Sequence, residues 1–91
     1  MQSVIQGSVR ETVAEQFRRT AFDQERQMQP LNEDLVLLDS GLDSLCFAII
    51  VAQLEDDLGV DPFSDLDDGF FPVTFVEFVQ LYESAVEKTV A

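Results

Sequence analysis

Histidine is absent from this chain, and cysteine occurs once, as Cys46. Without histidine there is no Ser-His or Cys-His nucleophile pair and no imidazole metal ligand. A lone cysteine excludes an internal disulfide. No run approaches the ~18 apolar residues of a membrane-spanning helix, and residues 1–20 lack the apolar core of a signal peptide. Together these absences favour a soluble, cytoplasmic protein without a catalytic centre of its own.

Basic residues are also scarce: five against eighteen acids, for a net charge of −13. Residues 1–26 are balanced, because their four acids meet four of the five bases, which are Arg10, Arg18, Arg19 and Arg26. Residues 27–91 hold fourteen acids and only Lys88. This excess disfavours nucleic acid and anionic membranes as partners. It favours proteins with basic docking patches, whose association weakens in salt, although charge can also serve solubility alone.

Length and periodicity predict one small folded domain over residues 1–91, with residues 1–7 frayed. A hydrophobic content of 46% is too high for a disordered acidic tail. Four apolar residues recur every fourth position and predict an amphipathic helix from Val9 to Phe22: Val9, Val13, Phe17 and Ala21. Ser8 and Glu11 have the spacing of a capping box at its start.

A long polar loop is predicted for residues 23–43, which contain Pro30. Its apolar residues are expected to pin it to the core: Leu31, Leu35, Leu37 and Leu38. The short apolar run 35–38 resembles a strand, but no second strand is convincing, so a sheet is not expected.

The central helix is predicted from Ser44 to Leu58. One face has core spacing and comprises Phe47, Ile50, Val51, Leu54 and Leu58. The opposite side carries Leu45, Ile49 and Ala52 before the acidic Asp56. An apolar side of this kind usually means docking. The alternative is that the loop or the third helix covers Leu45 and Ile49.

The remaining chain predicts one short and one long helix. Gly59 is a natural stop for the central helix, and Asp61-Pro62 is a cap for a short helix reaching about Asp67. A second capping box, Thr74 and Glu77, begins the last helix, whose buried stripe is Phe75, Phe78, Val79, Tyr82, Ala85 and Val86. The predicted fold is therefore all-α: a small four-helix bundle with three long helices and one short.

Two features of the link before the last helix favour no specific site. The acids Asp61, Asp65, Asp67 and Asp68 precede Gly69, but their spacing does not match a calcium-binding loop. Phe70 and Phe71 form either a docking pair or core contacts, and core packing is expected for at least one.

The stretch 39–45, Asp-Ser-Gly-Leu-Asp-Ser-Leu, places a serine where a loop meets a helix N-terminus. Asp43 and Ser44 both offer capping side chains. Backbone N–H groups and the helix dipole favour anionic oxygen at such an end, so a phosphate ester on Ser44 would be well placed. The plainer interpretation is that Ser44 is a helix cap only.

Gly41-Leu42-Asp43-Ser44-Leu45 resembles the phosphopantetheine attachment motif of carrier proteins, the family of acyl and peptidyl carrier proteins. The similarity extends over roughly residues 9–87. It implies an acyl-carrier-protein-like bundle in which a transferase moves 4′-phosphopantetheine from coenzyme A onto Ser44, and the thiol of the attached arm holds cargo as a thioester. Asp43 would hold the motif and face the modifying enzyme. Partner docking would use Leu42, Leu45, Ile49, Ala52 and Asp56.

The implied partners are a phosphopantetheinyl transferase, an acyl- or aminoacyl-activating ligase and a downstream transferase or synthase. We expect a free-standing, monomeric carrier. Many fatty-acid carriers have acids at the positions of Cys46 and Ile49, so aminoacyl, peptidyl or specialised acyl cargo is preferred to fatty-acid synthesis, which stays the alternative. Cys46 is taken as a packing or surface residue. A hypothesis from another class is an unmodified acidic helical adaptor that binds basic proteins, and Ser44→Ala would leave its function intact.

Overall fold

A computed structural model describes residues 9–65 and 72–90. The elements in chain order are α1 (Val9–Asp23), a 3-10 turn (Leu37–Asp39), α2 (Ser44–Leu58), a second 3-10 turn (Pro62–Asp65) and α3 (Phe75–Val90). The predicted all-helical class is confirmed, because the described residues contain no strand and only one isolated antiparallel bridge, between Val36 and Thr74. None of these helices is both long and apolar enough to cross a bilayer.

The first helix, α1, ends one residue beyond the predicted Phe22. Its apolar stripe faces the core as predicted: Val13, Phe17 and Ala21 are buried and Val9 packs against them. Gln16 and Thr20 are also buried, which a pattern based on apolar residues did not identify. The predicted capping residue Ser8 and the predicted frayed segment 1–7 lie outside the described residues.

Phe17 joins the three helices at the centre of the core. Its ring makes edge-to-face contacts with Phe47 of α2 and with Phe75 and Phe78 of α3, at centroid distances of 6.0, 5.2 and 5.2 Å. This is the geometry that the quadrupoles of aromatic rings favour. The predicted core faces are confirmed, with Ile50, Leu54, Val79 and Tyr82 buried and Val51, Leu58, Ala85 and Val86 packed against them.

The long loop is pinned to the core by three of its four predicted leucines. Leu37 is buried, and Leu31 and Leu35 pack against the core. The prediction for Leu38 is wrong, since that side chain is 86% exposed. The cause is the 3-10 turn Leu37–Asp39: successive side chains in such a turn point about 120° apart, so Leu37 faces inward and Leu38 outward.

The loop is bonded to the backbone at the start of α3 instead of to a strand. Leu37 N donates to Val73 O at 2.9 Å, and Phe75 N donates to Leu35 O at 2.8 Å. The predicted capping box is confirmed: Glu77 N donates to Thr74 Oγ1 at 3.3 Å, and Thr74 N donates to Glu77 Oε1 at 3.2 Å.

The end of α2 also follows the prediction. Gly59 adopts a left-handed conformation (φ 73°) and its N–H donates to Glu55 O at 2.8 Å. The segment beginning at Pro62 forms a 3-10 turn rather than an α-helix in the described residues, and Asp61 Oδ1 accepts from Phe63 N at 3.2 Å. The predicted extension to Asp67, the acids at 67 and 68, Gly69 and the Phe70-Phe71 pair lie outside the described residues.

Tyr82 buries a hydroxyl that has no hydrogen-bond partner among residues 9–65 and 72–90. Its ring stacks on Phe78 at 5.2 Å and meets the edge of Phe63 at 6.1 Å. Burial raises the pKa of Tyr82, and the charges of Asp61 and Glu55 raise that pKa further. The neutral phenol is therefore the form that the fold accepts.

Tyr82→Phe is expected to stabilise the protein by about 1 kcal/mol, because it keeps the ring and removes an unsatisfied buried polar group. Urea denaturation at neutral pH measures this. Tyrosine in the unfolded chain ionises near pH 10, below the raised pKa in the fold, so wild-type stability falls as pH rises past 10. The variant should lack that alkaline loss, and a destabilised variant would mean that the hydroxyl is satisfied.

Candidate functional site

Asp43, not Ser44, is the cap of α2. Its backbone is extended (φ −111°, ψ −176°) and its Oδ1 accepts a hydrogen bond from Cys46 N at 3.0 Å. Ser44 is the first residue of the helix, and it is exposed. The interpretation of Ser44 as the helix cap is therefore wrong, and the helix start does not depend on its hydroxyl.

The second carboxylate oxygen of Asp43 is held by Arg26. Arg26 Nη2 donates to Asp43 Oδ2 at 2.6 Å. The hydrogen bonding from Cys46, together with the charge of Arg26, lowers the pKa of Asp43 below its ordinary value. This pair could not be predicted from the sequence, because the two residues are seventeen positions apart and no local pattern connects them.

Ser40 shapes the loop before the cap. It is fully buried; its Oγ donates to Leu37 O at 2.6 Å and accepts from Leu42 N at 3.3 Å. Its carbonyl oxygen accepts from Gln29 N at 2.9 Å. The segment after α1 is thus bonded to the residues that lead into α2, and Ser40 was not among the predicted site residues.

Gly41 is the glycine that the tight approach of these two segments requires. Its φ of +96° is a conformation that residues with a side chain rarely adopt. A Cβ at this position would collide with the carbonyl oxygen of Gln27. The glycine of the motif therefore allows the backbone of the first loop, at Gln27, to pack directly against the segment before Ser44.

An apolar groove of about 740 Å³ begins at Ser44 and follows α2. The wall formed by α2 consists of Phe47, Ala48, Val51, Ala52 and Glu55, and the other side is formed by Leu38, Leu42 and Phe63. At 1.5 Å per residue, Ser44 and Glu55 lie about 16 Å apart along the helix. The charged lining residues, Asp43 and Glu55, stand near the two ends, so the groove between them is apolar.

Leu38, which the 3-10 turn directs away from the core, lines this groove. Phe63 approaches from the second 3-10 turn and also packs against the core. Neither residue was predicted to lie near Ser44. Both come from outside the motif, and only the tertiary fold brings them to it.

The predicted docking residues differ in how far they reach the surface. Leu45 is 57% exposed, Ala52 and Asp56 are exposed, and Ile49 is half-buried. The loop and α3 therefore leave Leu45 open, while Ile49 is partly covered. Leu42 is 6% exposed and belongs to the core, so its remaining surface contributes only to the groove. Their role in docking stays a prediction.

Cys46 is fully buried, so of the two predicted places, packing and surface, packing is the one observed. A partner cannot reach this position. Over residues 9–65 and 72–90, no group of three metal-ligating side chains that could hold an ion occurs.

No family model, curated protein or solved structure matches the chain. The support for any function therefore comes from the geometry at Ser44.

Proposed function

We propose that this chain is a carrier protein of the acyl and peptidyl carrier family, with Ser44 as the attachment site of 4′-phosphopantetheine. The observation that carries the proposal is the exposed hydroxyl-bearing side chain of Ser44, which lies at one end of an apolar groove. This side chain is not needed as the cap of α2, because Asp43 is the cap. The proposed fold is the four-helix bundle typical of that family, with the segment that begins at Pro62 supplying the short helix.

Ser44 would act as the acceptor in the loading reaction. Its hydroxyl oxygen bonds to the phosphorus attached to pantetheine in coenzyme A, and the bond from that phosphorus to the bridging oxygen of the nucleotide breaks. Adenosine 3′,5′-bisphosphate leaves with the bond's electron pair, and the serine proton is released to a base of the transferase. The product on the protein is a phosphodiester. No residue of this chain needs to act as the base, which agrees with a sequence without histidine.

The residues present fit the group that would be attached. Ser44 offers an accessible oxygen, and the groove beside it offers apolar walls along three turns of α2. The attached group supplies a thiol that holds cargo as a thioester. The part of this chain is to display that group at a fixed place and to give the arm and cargo a surface of Phe47, Ala48 and Val51.

The surface around Ser44 fits enzymes with basic rims. Leu45 and Ala52 are exposed on α2, and Glu55, Asp56 and Asp57 follow as exposed acids. Apolar area that is flanked at one end by a run of acids favours partners with basic charge. The proposed partners are a phosphopantetheinyl transferase, an acyl- or aminoacyl-activating ligase and a downstream transferase or synthase.

Aminoacyl, peptidyl or specialised acyl cargo is proposed over fatty-acid synthesis. This preference is supported by Ile49, an apolar and half-buried residue at a position where many fatty-acid carriers have an acid. Cys46 adds nothing to it, because partners cannot contact a buried side chain.

The test of the proposal is the intact mass of the protein after incubation with coenzyme A and a broad phosphopantetheinyl transferase. We expect a gain of one phosphopantetheine, and tandem mass spectrometry should place it on Ser44. An established carrier protein in the same tube reports that the transferase is active. If that control is loaded and this folded chain is not, the proposal is wrong, and an acidic adaptor for basic proteins becomes the leading hypothesis.

A further inference from the structure

We infer that Arg26 is a positioning residue for Ser44: it holds Asp43 in place and offsets the negative charge that a phosphodiester adds beside it. The inference rests on the proposed function and goes further, because it assigns a role to a residue outside the motif. The observation behind it is the 2.6 Å ion pair between Arg26 Nη2 and Asp43 Oδ2.

Both oxygens of the Asp43 carboxylate are engaged. Oδ1 accepts from the N–H of Cys46 and Oδ2 accepts from Arg26. An Asp cap needs only the first of these bonds. The second fixes the side chain against rotation and connects the residue before Ser44 to the loop that follows α1.

The Arg26 backbone is anchored, so the guanidinium reaches Asp43 from a defined point. Its N–H donates to Ala21 O at 2.8 Å, and the next residue, Gln27, lies against Gly41. The backbone that follows Arg26 therefore lies against the backbone of the motif at Gly41.

The charges around Ser44 make this arginine important. A phosphodiester on Ser44 places a negative charge next to Asp43, in a chain that already carries −13. The other arginines pair elsewhere: Arg10 with Glu33 at 3.0 Å, and Arg18 and Arg19 with Glu15 at 3.7 and 4.0 Å. Among the described residues, Arg26 is the base paired with Asp43.

A guanidinium suits this double task. It carries five N–H donors in a planar fork, so one donor can stay on Asp43 while others bond a phosphate oxygen. Removing the guanidinium leaves two negative groups side by side, and the modified protein should lose more stability than the unmodified one. The pair is part-exposed, with 41% and 46% of the side chains accessible, so the effect is modest and falls with salt.

The experiment compares the thermal midpoint of the loaded and unloaded forms of each variant at low salt. In the wild type, loading should leave the midpoint unchanged or raise it. In Arg26→Gln, loading should lower the midpoint by about 3 °C, and the loss should shrink in high salt. Arg18→Gln is the matched control, because it removes an exposed arginine of α1 that pairs with Glu15 and should behave like the wild type.

Two further variants separate charge from structure. Arg26→Lys keeps the charge and should recover most of the difference. Adding Asp43→Asn to Arg26→Gln removes the repelling carboxylate and keeps a good cap, so loading should again leave the midpoint unchanged. A role that is only structural would not respond to this second change.

The inference is overturned if loading shifts the midpoint equally in the wild type, Arg26→Gln and Arg26→Lys. It is also overturned if the double variant loses as much on loading as Arg26→Gln. A wild type that takes up no phosphopantetheine is a different result, and it contradicts the proposed function itself.

Discussion

Ser44→Ala is expected to abolish the gain of one phosphopantetheine while the free energy of unfolding changes by less than about 0.5 kcal/mol. The substitution removes the proposed acceptor oxygen, which does not cap α2. The cap of α2 is the carboxylate of Asp43, and alanine is a strong helix former at an exposed first position. Intact mass after loading and urea denaturation of the same preparation measure the two quantities.

Ser40→Ala is the matched control, because it changes another serine four residues away with the opposite expected outcome. The Ser40 hydroxyl is buried and bonds Leu37 O and Leu42 N. Its loss leaves the Leu42 N–H unsatisfied and should cost about 1–3 kcal/mol. The folded fraction of this variant keeps Ser44 and should still be loaded completely. Loading of Ser44→Ala, or equal failure of both variants, would contradict Ser44 as the attachment site.

The helices could be predicted from sequence because their signals are local. Every-fourth apolar spacing located α1, and the reciprocal bonds of Thr74 and Glu77 begin α3 as their spacing predicted. Gly59 ends α2 for the reason that glycine commonly ends helices, its tolerance of a left-handed backbone. In each case the residues that decide the structure lie within a few positions of one another.

The surroundings of Ser44 could be predicted only in part. The motif located the serine, but Arg26, Leu38 and Phe63 come from other segments and carry no signal in the neighbourhood of the motif. Leu38 shows the limit most clearly. Its apolar side chain predicted a core position, but a single 3-10 turn points that side chain to the surface. The sequence identified Ser44 as the candidate residue, whereas the charge and shape around it depend on tertiary contacts.

Gly41→Ala is expected to destabilise the protein by about 3 kcal/mol, a large share of the stability of a small domain. Two costs add. A positive φ costs a residue with a side chain about 1–2 kcal/mol. The new Cβ also meets the carbonyl oxygen of Gln27, which is backbone and cannot swing aside, and such overpacking costs about 1–3 kcal/mol. The midpoint of urea denaturation measures the sum.

Gly59→Ala carries the first cost alone, so the difference between the two substitutions measures the second. Gly59 has a comparable positive φ of +73°, but apart from its chain neighbours no heavy atom of the described residues lies within 4 Å of the Cβ that the substitution would add. Its loss should therefore be about 1 kcal/mol, from the backbone alone. Because the collision pushes the loop away from the segment before Ser44, folded Gly41→Ala should also be loaded more slowly, whereas Gly59→Ala should be loaded at the wild-type rate. Equal destabilisation by the two substitutions would mean that the first loop does not support the site through Gly41.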